Sequence, residues 1–138
     1  MTVFRVPVQR PFSDLDVLGH VNNVVYHDYL QEARVRIIRE MMRKDEVEFS
    51  HIVARQEIDH LRPLGLGAAP ITVEIWVSAI GGASYTVDYR VLDEDGEVAA
   101  KAKSVMVFYN IELQAPTRIP DDVRAVLTSM LETGERDG

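Results

Sequence analysis

The side chains best suited to chemistry are concentrated in one polar segment, between residues 12 and 26. The segment carries two carboxylates, then a glycine and a histidine, then two adjacent asparagines. In chain order these are Asp14, Asp16, Gly19, His20, Asn22 and Asn23. The asparagines stand where an apolar helical pattern begins. The backbone N–H groups of such a helix start lack intrahelical partners and carry partial positive charge.

A helix start of this kind can stabilise an oxyanion that develops on a carbonyl group. A carboxylate just upstream can attack that carbonyl, or activate a water molecule that does so. These are the minimal parts for acyl hydrolysis. A solvated loop with an asparagine cap is also compatible with the same residues, because capping asparagines and loop aspartates are common. From the spacing alone both interpretations stay open.

Other kinds of site find less support in the chain. There is no cysteine, no G-x-S-x-G segment and no Walker A motif, so the usual nucleophilic triads and phosphate loops are not indicated. Asp16, His20 and His27 match no dedicated zinc spacing, and a hydrolytic zinc site usually needs three converging ligands. We therefore expect neither a metal nor a cofactor.

One amphipathic helix and a series of strands must position the polar segment. The helix is predicted to start near Asn22–Asn23 and to run about five turns, with an apolar stripe through Leu30, Ala33 and Met41. Period-two alternation predicts strands over 2–10, 51–61, 71–80, 85–92 and 97–109. Ile52, Ala54 and Ile58 are expected on one face of the second strand, and a bend or bulge is expected in the last, long strand. A short helix through Val123 and Leu131 should follow and end at Gly134.

Length and composition fit a single α+β domain over residues 1–138, with an antiparallel sheet curled around the long helix. The formal net charge is −7 and the pI is about 5.0, which disfavours binding to nucleic acid or to anionic membranes. The absence of cysteine, of a signal peptide and of a membrane-spanning stretch leads us to expect a cytoplasmic protein. Twelve of the 15 cationic residues are arginine, which leaves room for local anion sites.

The segment Asp14-Leu15-Asp16, Gly19-His20-Val21-Asn22-Asn23 and Tyr26, with Glu32-Ala33-Arg34 further along the helix, resembles the signature of hotdog-fold acyl-CoA thioesterases of the hydroxybenzoyl-CoA thioesterase family. Later segments are similar too: Ile58 to Pro63 with Gly65, Ser84-Tyr85, Asp95 to Ala99, and Val105 to Tyr109 followed by Pro116 and Ile119-Pro120. The resemblance covers roughly residues 4–125.

The resemblance implies a hotdog fold, acyl-CoA as substrate and active sites at the interface of a homodimer or homotetramer. It implies Asp16, rather than Asp14, as the catalytic carboxylate, and the backbone N–H of Asn23 as the group that polarises the thioester carbonyl. Gly19 then lets the loop approach the acyl group. His20 and Asn22 organise the loop or touch substrate, and Tyr26 lines the acyl pocket. Arg62 and Arg90 are candidates for the CoA phosphates.

Several alternatives stay open at this point. Asp16 can act as nucleophile or as general base. The substrate can be carried by coenzyme A or by an acyl carrier protein. A hotdog domain that binds an acyl carrier without turnover is a second hypothesis. A hotdog enoyl-CoA hydratase, which pairs an aspartate with a nearby histidine, is a third, although the H-V-N-N continuation favours the thioesterase.

Overall fold

Six strands and two helices make up the chain in a computed structural model that describes residues 3–9, 25–64 and 70–131. The strands are β1 (Phe4–Val8), β2 (His51–His60), β3 (Ile71–Ile80), β4 (Ser84–Leu92), β5 (Val98–Asn110) and β6 (Ala115–Pro116); the helices are α1 (Tyr26–Asp45) and α2 (Asp121–Ser129). All strand pairs are antiparallel, in the order β1-β3-β4-β5-β2, and β6 pairs with β5. The predicted order of strands and helices is confirmed, apart from the two-residue strand β6, which was not predicted.

Alternating side chains give the sheet one apolar face, and α1 packs against it. On β5 the buried residues Ala100, Ala102, Met106 and Phe108 alternate with more exposed ones, as predicted. The apolar stripe of α1 buries Leu30 and Ala33 completely and Met41 almost completely. A helix with one apolar stripe and a sheet with one apolar face both bury their apolar surfaces when each covers the other. The curled antiparallel sheet, long helix and short C-terminal helix match the hotdog fold that the sequence predicts.

The prediction that Ile52, Ala54 and Ile58 share one face is wrong. The register of β2 against β5 shifts between Val53 and Arg55, so Ala54 is an extra, unpaired residue. A bulge of this kind reverses the alternation. Ile52 therefore lies beside Val107 on the outward face, where 48% of it is exposed, whereas Ile58 is opposite inward-facing Ala102. The bulge predicted for β5 is confirmed, since its register with β4 shifts near Ala99.

The C-terminal helix also ends earlier than predicted. It stops at Ser129, because the next residues leave the helix to lie along β3: the Met130 carbonyl accepts a hydrogen bond from the Val77 amide at 3.3 Å. Leu131 forms a parallel bridge with Val77. Gly134, the predicted terminator, lies outside the described residues. Neither described helix is both long and apolar enough to cross a membrane.

A buried ion-pair cluster stabilises the opposite face of the sheet. Glu74 on β3 is only 1% exposed, and its Oε1 accepts a hydrogen bond from Arg90 Nε at 2.8 Å. Its Oε2 accepts another from Arg5 Nε of the edge strand β1 at 2.9 Å. Two guanidinium groups thus meet one carboxylate and link three adjacent strands. Arg90 is itself buried, so loss of the carboxylate removes a counter-charge from a buried cation.

We expect Glu74→Gln to lower the free energy of unfolding by about 3–5 kcal/mol, the usual cost of breaking a buried ion pair on one side. The matched control is Glu32→Gln, which removes an exposed i,i+4 partner of Arg36 and should cost less than about 1 kcal/mol. Urea unfolding of the two variants beside the unmodified protein measures both values. Equal losses in the two variants contradict a structural role for the cluster.

Candidate active site

The predicted catalytic segment enters the described structure at the first turn of α1. Asp14, Asp16, Gly19, His20, Asn22 and Asn23 lie outside the described residues, so their roles stay predictions. The described part of the helix begins at Tyr26, preceded by Val25 in helical conformation. The fold holds this end of the helix in place, and a helix start assists chemistry only when it is fixed.

Two side chains anchor the first turn of α1 to the far end of β2. Tyr26 is 1% exposed, and its ring meets the His60 ring edge-on with a centroid separation of 4.7 Å. Next to it, the side-chain amide of Gln56 donates a hydrogen bond to His27 Nδ1. The start of the helix is therefore held over β2 by an aromatic contact and a polar contact. Tyr26, predicted to line the acyl pocket, is part of the core within the single chain.

Gln56 also belongs to a hydrogen-bonded network that continues under the helix. Its Oε1 accepts hydrogen bonds from Ser104 Oγ at 2.8 Å and, more weakly, from Arg34 Nη1 at 3.4 Å. The Tyr89 hydroxyl donates to Ser104 Oγ at 2.9 Å and accepts from Arg34 Nη1 at 2.9 Å. Three strands and the helix thus share one polar cluster inside an otherwise apolar layer. Because these side chains supply hydrogen-bond donors and acceptors to one another, the network fixes the helix relative to the sheet.

His51 and Tyr85 form a second polar pair beside this network. The Tyr85 hydroxyl and His51 Nδ1 lie 2.8 Å apart, and the two rings pack around Phe49. Burial, with a smaller contribution from the positive charge of Arg34, lowers the pKa of His51 from 6.5 to about 4. Burial also raises the pKa of the Tyr85 phenol far above its ordinary value. Both side chains are therefore neutral at pH 7.

The two arginines considered for the CoA phosphates have different surroundings. Arg62 lies just after β2, is half exposed and faces Glu97 at 3.4 Å, so its guanidinium is accessible from solvent. Arg90 is buried and bound to Glu74, so its guanidinium is not exposed at the surface where a CoA phosphate could bind. Among the described residues no cluster of histidine and acidic side chains has the arrangement of a metal site. His27, the one member of the weighed zinc triad that is described, is bonded to Gln56.

Sequence reasoning did not identify the internal polar network. Ser104 interrupts a run of apolar residues on the inward face of β5, and Arg34 follows Leu30 by one helical turn on the buried side of α1. A polar residue at an inward position of a regular pattern is the signal that points to such a cluster. Gln56 had no such signal, because the bulge at Ala54 decides which face it occupies.

Comparison with known proteins gives a consistent assignment. Residues 11–127 match the thioesterase-like superfamily. The uncharacterized protein YsmA of Bacillus subtilis (strain 168) is 30% identical over 97 residues, which represent 70% of this chain and 65% of that protein.

Solved structures agree in fold. A predicted thioesterase from Bacillus stearothermophilus superposes with a TM-score of 0.86 at 26% identity, covering 97% of this chain and 100% of its own. A thioesterase from Thermus thermophilus, solved with coenzyme A and zinc, gives a TM-score of 0.79 at 33% identity, with 91% and 92% covered. A candidate acyl-CoA thioesterase from Xanthomonas campestris gives 0.67 at 34% identity, with 81% and 95% covered.

The lowered pKa of His51 predicts how stability depends on pH. The unfolded state takes up a proton near pH 6.5, whereas the folded state does so only near pH 4, so folding is favoured least at acid pH. The contribution is complete above pH 6.5 and is lost as the pH falls towards 4. It amounts to about 2 kcal/mol, less than the full shift implies, because the ring is only partly buried.

The measurement is the difference in unfolding free energy between the unmodified protein and His51→Gln at several pH values. Carboxylates that titrate in the same pH range contribute equally to the stability of both proteins, so their contributions cancel in this difference. We expect the unmodified protein to lose stability relative to the variant between pH 6.5 and 4. Parallel curves contradict the burial of a neutral histidine.

Proposed function

This chain belongs to the thioesterase-like superfamily, and we propose that it hydrolyses the thioester of a small or medium acyl-coenzyme A. The observation that carries the proposal is the start of α1, which the contacts of Tyr26 and His27 hold against β2 directly after the aspartate-bearing segment. The coenzyme A in the Thermus structure supports an acyl-CoA as substrate. Membership in the narrower hydroxybenzoyl-CoA thioesterase family stays a prediction.

The proposed role of the helix start is to polarise the thioester carbonyl. The backbone N–H of Asn23 donates a hydrogen bond to the carbonyl oxygen, and the partial positive charge of the helix end stabilises the negative charge that develops there. Because α1 is anchored before substrate arrives, no reorganisation is needed when that charge appears. Gly19 leaves space for the loop backbone to approach the acyl group.

The carboxylate of Asp16 then adds an oxygen nucleophile to the polarised carbonyl carbon. It either attacks directly, forming an anhydride that water cleaves, or removes a proton from the attacking water. The carbon–sulfur bond breaks and the CoA thiolate leaves. A thiol has a pKa of about 8.5, so the thiolate departs without a dedicated general acid. The products are the free carboxylic acid and coenzyme A.

The remaining predicted residues bind and orient the substrate. His20 and Asn22 hold the loop or contact the thioester, and Tyr26 closes one side of the acyl pocket. Arg62 is exposed beside the end of β2 and can bind a phosphate of coenzyme A. The same surface is compatible with the phosphopantetheine arm of an acyl carrier protein.

Replacing the proposed carboxylate gives the most direct test of the mechanism. We expect Asp16→Asn to lower kcat by about 10²–10⁴-fold, because an amide neither attacks the carbonyl nor accepts the proton of water. Thiol release from a panel of acyl-CoA substrates measures the rate.

Asp14→Asn is the matched control, since it makes the same chemical change two residues away and should alter kcat by no more than about twofold. Equal activity of Asp16→Asn and the unmodified protein contradicts the assigned role. Binding of acyl-CoA without thiol release supports the alternative of a binding module, and hydration of crotonyl-CoA with the thioester intact supports the hydratase.

We also propose that two copies of the chain pair along β2 and build the active sites between them. Among the described strands β2 lies at the edge of the sheet, and its outer row of backbone groups can extend the sheet. Ile52 and Val53 are 48% and 43% exposed at its start, which is unusual for large apolar side chains on adjacent positions of a strand. An antiparallel pair of β2 strands shields Ile52 and continues the sheet into the second copy.

The strand-pairing proposal predicts that Ile52→Lys weakens the dimer at least about tenfold, because pairing would partly remove the new ammonium group from water without a counter-charge. Sedimentation equilibrium measures the dimer dissociation constant. Ile111→Lys is the matched control, since Ile111 is 76% exposed in the turn after β5 and is not a residue of β2. A dimer that Ile111→Lys disrupts and Ile52→Lys leaves intact contradicts pairing along β2.

A further inference from the structure

Arg34 is a buried cation whose hydrogen-bond partners among the described residues are all neutral. It is 6% exposed on the inward side of α1, and Nη1 is the nitrogen that reaches Tyr89 and Gln56. The described residues contain no carboxylate at ion-pairing distance from its guanidinium. Its Nε and Nη2 make no hydrogen bond within the same part of the chain. A guanidinium has five donors, so a large part of its capacity to bind an anion remains available.

Arg90, another buried arginine of the same fold, provides a comparison for Arg34. That side chain has the same 6% exposure, and it is bound to the Glu74 carboxylate. Buried charges in proteins are normally compensated in this way, because removing an ion from water is costly unless a counter-charge replaces the lost solvation. Among the described residues Arg34 departs from that pattern, so its guanidinium is open to an anionic ligand.

The Arg34 guanidinium borders a cavity that suits such an anion. The cavity has a volume of about 380 Å³, opens to the surface between α1 and the start of β2, and has no acidic residue among its described lining side chains. Arg39 adds a second positive charge at its edge, and His51 is neutral there at pH 7. The rest of the wall is mainly apolar and consists of Gln31, Val35, Ile38, Met42, Phe49, Val53 and Met106.

We propose that this cavity binds an amphipathic carboxylate, with the carboxylate on Arg34 and the hydrocarbon part against the apolar wall. A planar carboxylate matches the paired N–H donors of a guanidinium. The volume falls within the range of small-molecule sites, in which a few polar groups orient a mostly apolar ligand. The inference does not rest on the proposed hydrolysis, although the acid released by that reaction belongs to the same chemical class.

Calorimetric titration with octanoate and with 1-octanol at pH 7.5 tests the inference in the absence of any thioester. The two probes have the same chain length and differ in the charged head. We expect saturable binding of octanoate, one per chain, and at least about tenfold weaker binding of 1-octanol, because the charge-assisted hydrogen bonds to Arg34 are missing. Equal affinity for the two probes, or no saturable binding of octanoate, overturns the proposal.

Substitutions at Arg34 test whether this side chain binds the carboxylate of octanoate. Arg34→Gln should weaken octanoate binding at least about tenfold and leave 1-octanol unchanged, whereas Arg36→Gln, the same substitution at an exposed position of α1, should change neither. Arg34→Lys keeps the charge in case the glutamine variant does not fold, and should retain a preference for octanoate over 1-octanol. Unchanged octanoate affinity in a folded Arg34→Gln protein overturns the assignment.

Discussion

The packing of α1 across the inward face of the sheet is the constraint on which the rest of the structure depends. The helix has one apolar stripe and the sheet has one apolar face, and in the described ranges they bury each other. Once the helix is committed to that position, its first turn must lie over the end of β2. The location of the proposed oxyanion site is therefore a consequence of core packing, because the proposed catalytic residues come directly before a helix that the fold already fixes.

Polar groups inside this layer make the packing specific. Apolar contacts alone tolerate some sliding and rotation of a helix on a sheet, because they are not directional. The bonds of Arg34 to Tyr89 and of Gln56 to His27 are directional, and they tie the middle and the start of α1 to separate strands. The same network leaves a guanidinium beside an apolar cavity. The hydrogen-bonded network that orients the helix therefore also places the Arg34 guanidinium beside the cavity in which we propose a ligand site.

Much of this arrangement could be predicted from the sequence, because it depends on short periodic patterns. The stripe of α1 and the alternation of β3, β4 and β5 indicated the order of elements and the sheet that they form. The orientation of β2 could not be predicted, because one unpaired residue, Ala54, reverses its faces and leaves no trace in the periodicity. The end of α2 was misjudged for a related reason: the pairing of Met130 and Leu131 with β3 is a tertiary contact. The polar network joins residues far apart in the chain, so its members appeared as unrelated side chains.

The central claim is that a carboxylate at position 16 and the amide-bearing start of α1 act on the same carbonyl group. A crystal structure with a medium-chain acyl-CoA analogue, in which a methylene replaces the sulfur and the carbonyl is kept, tests this claim most directly. We expect the ketone oxygen at about 3 Å from the Asn23 nitrogen, with the Asp16 carboxylate facing the carbonyl carbon directly or through one water molecule. A carboxylate that points into bulk solvent in the assembled protein, or a ketone bound away from the helix start, contradicts it.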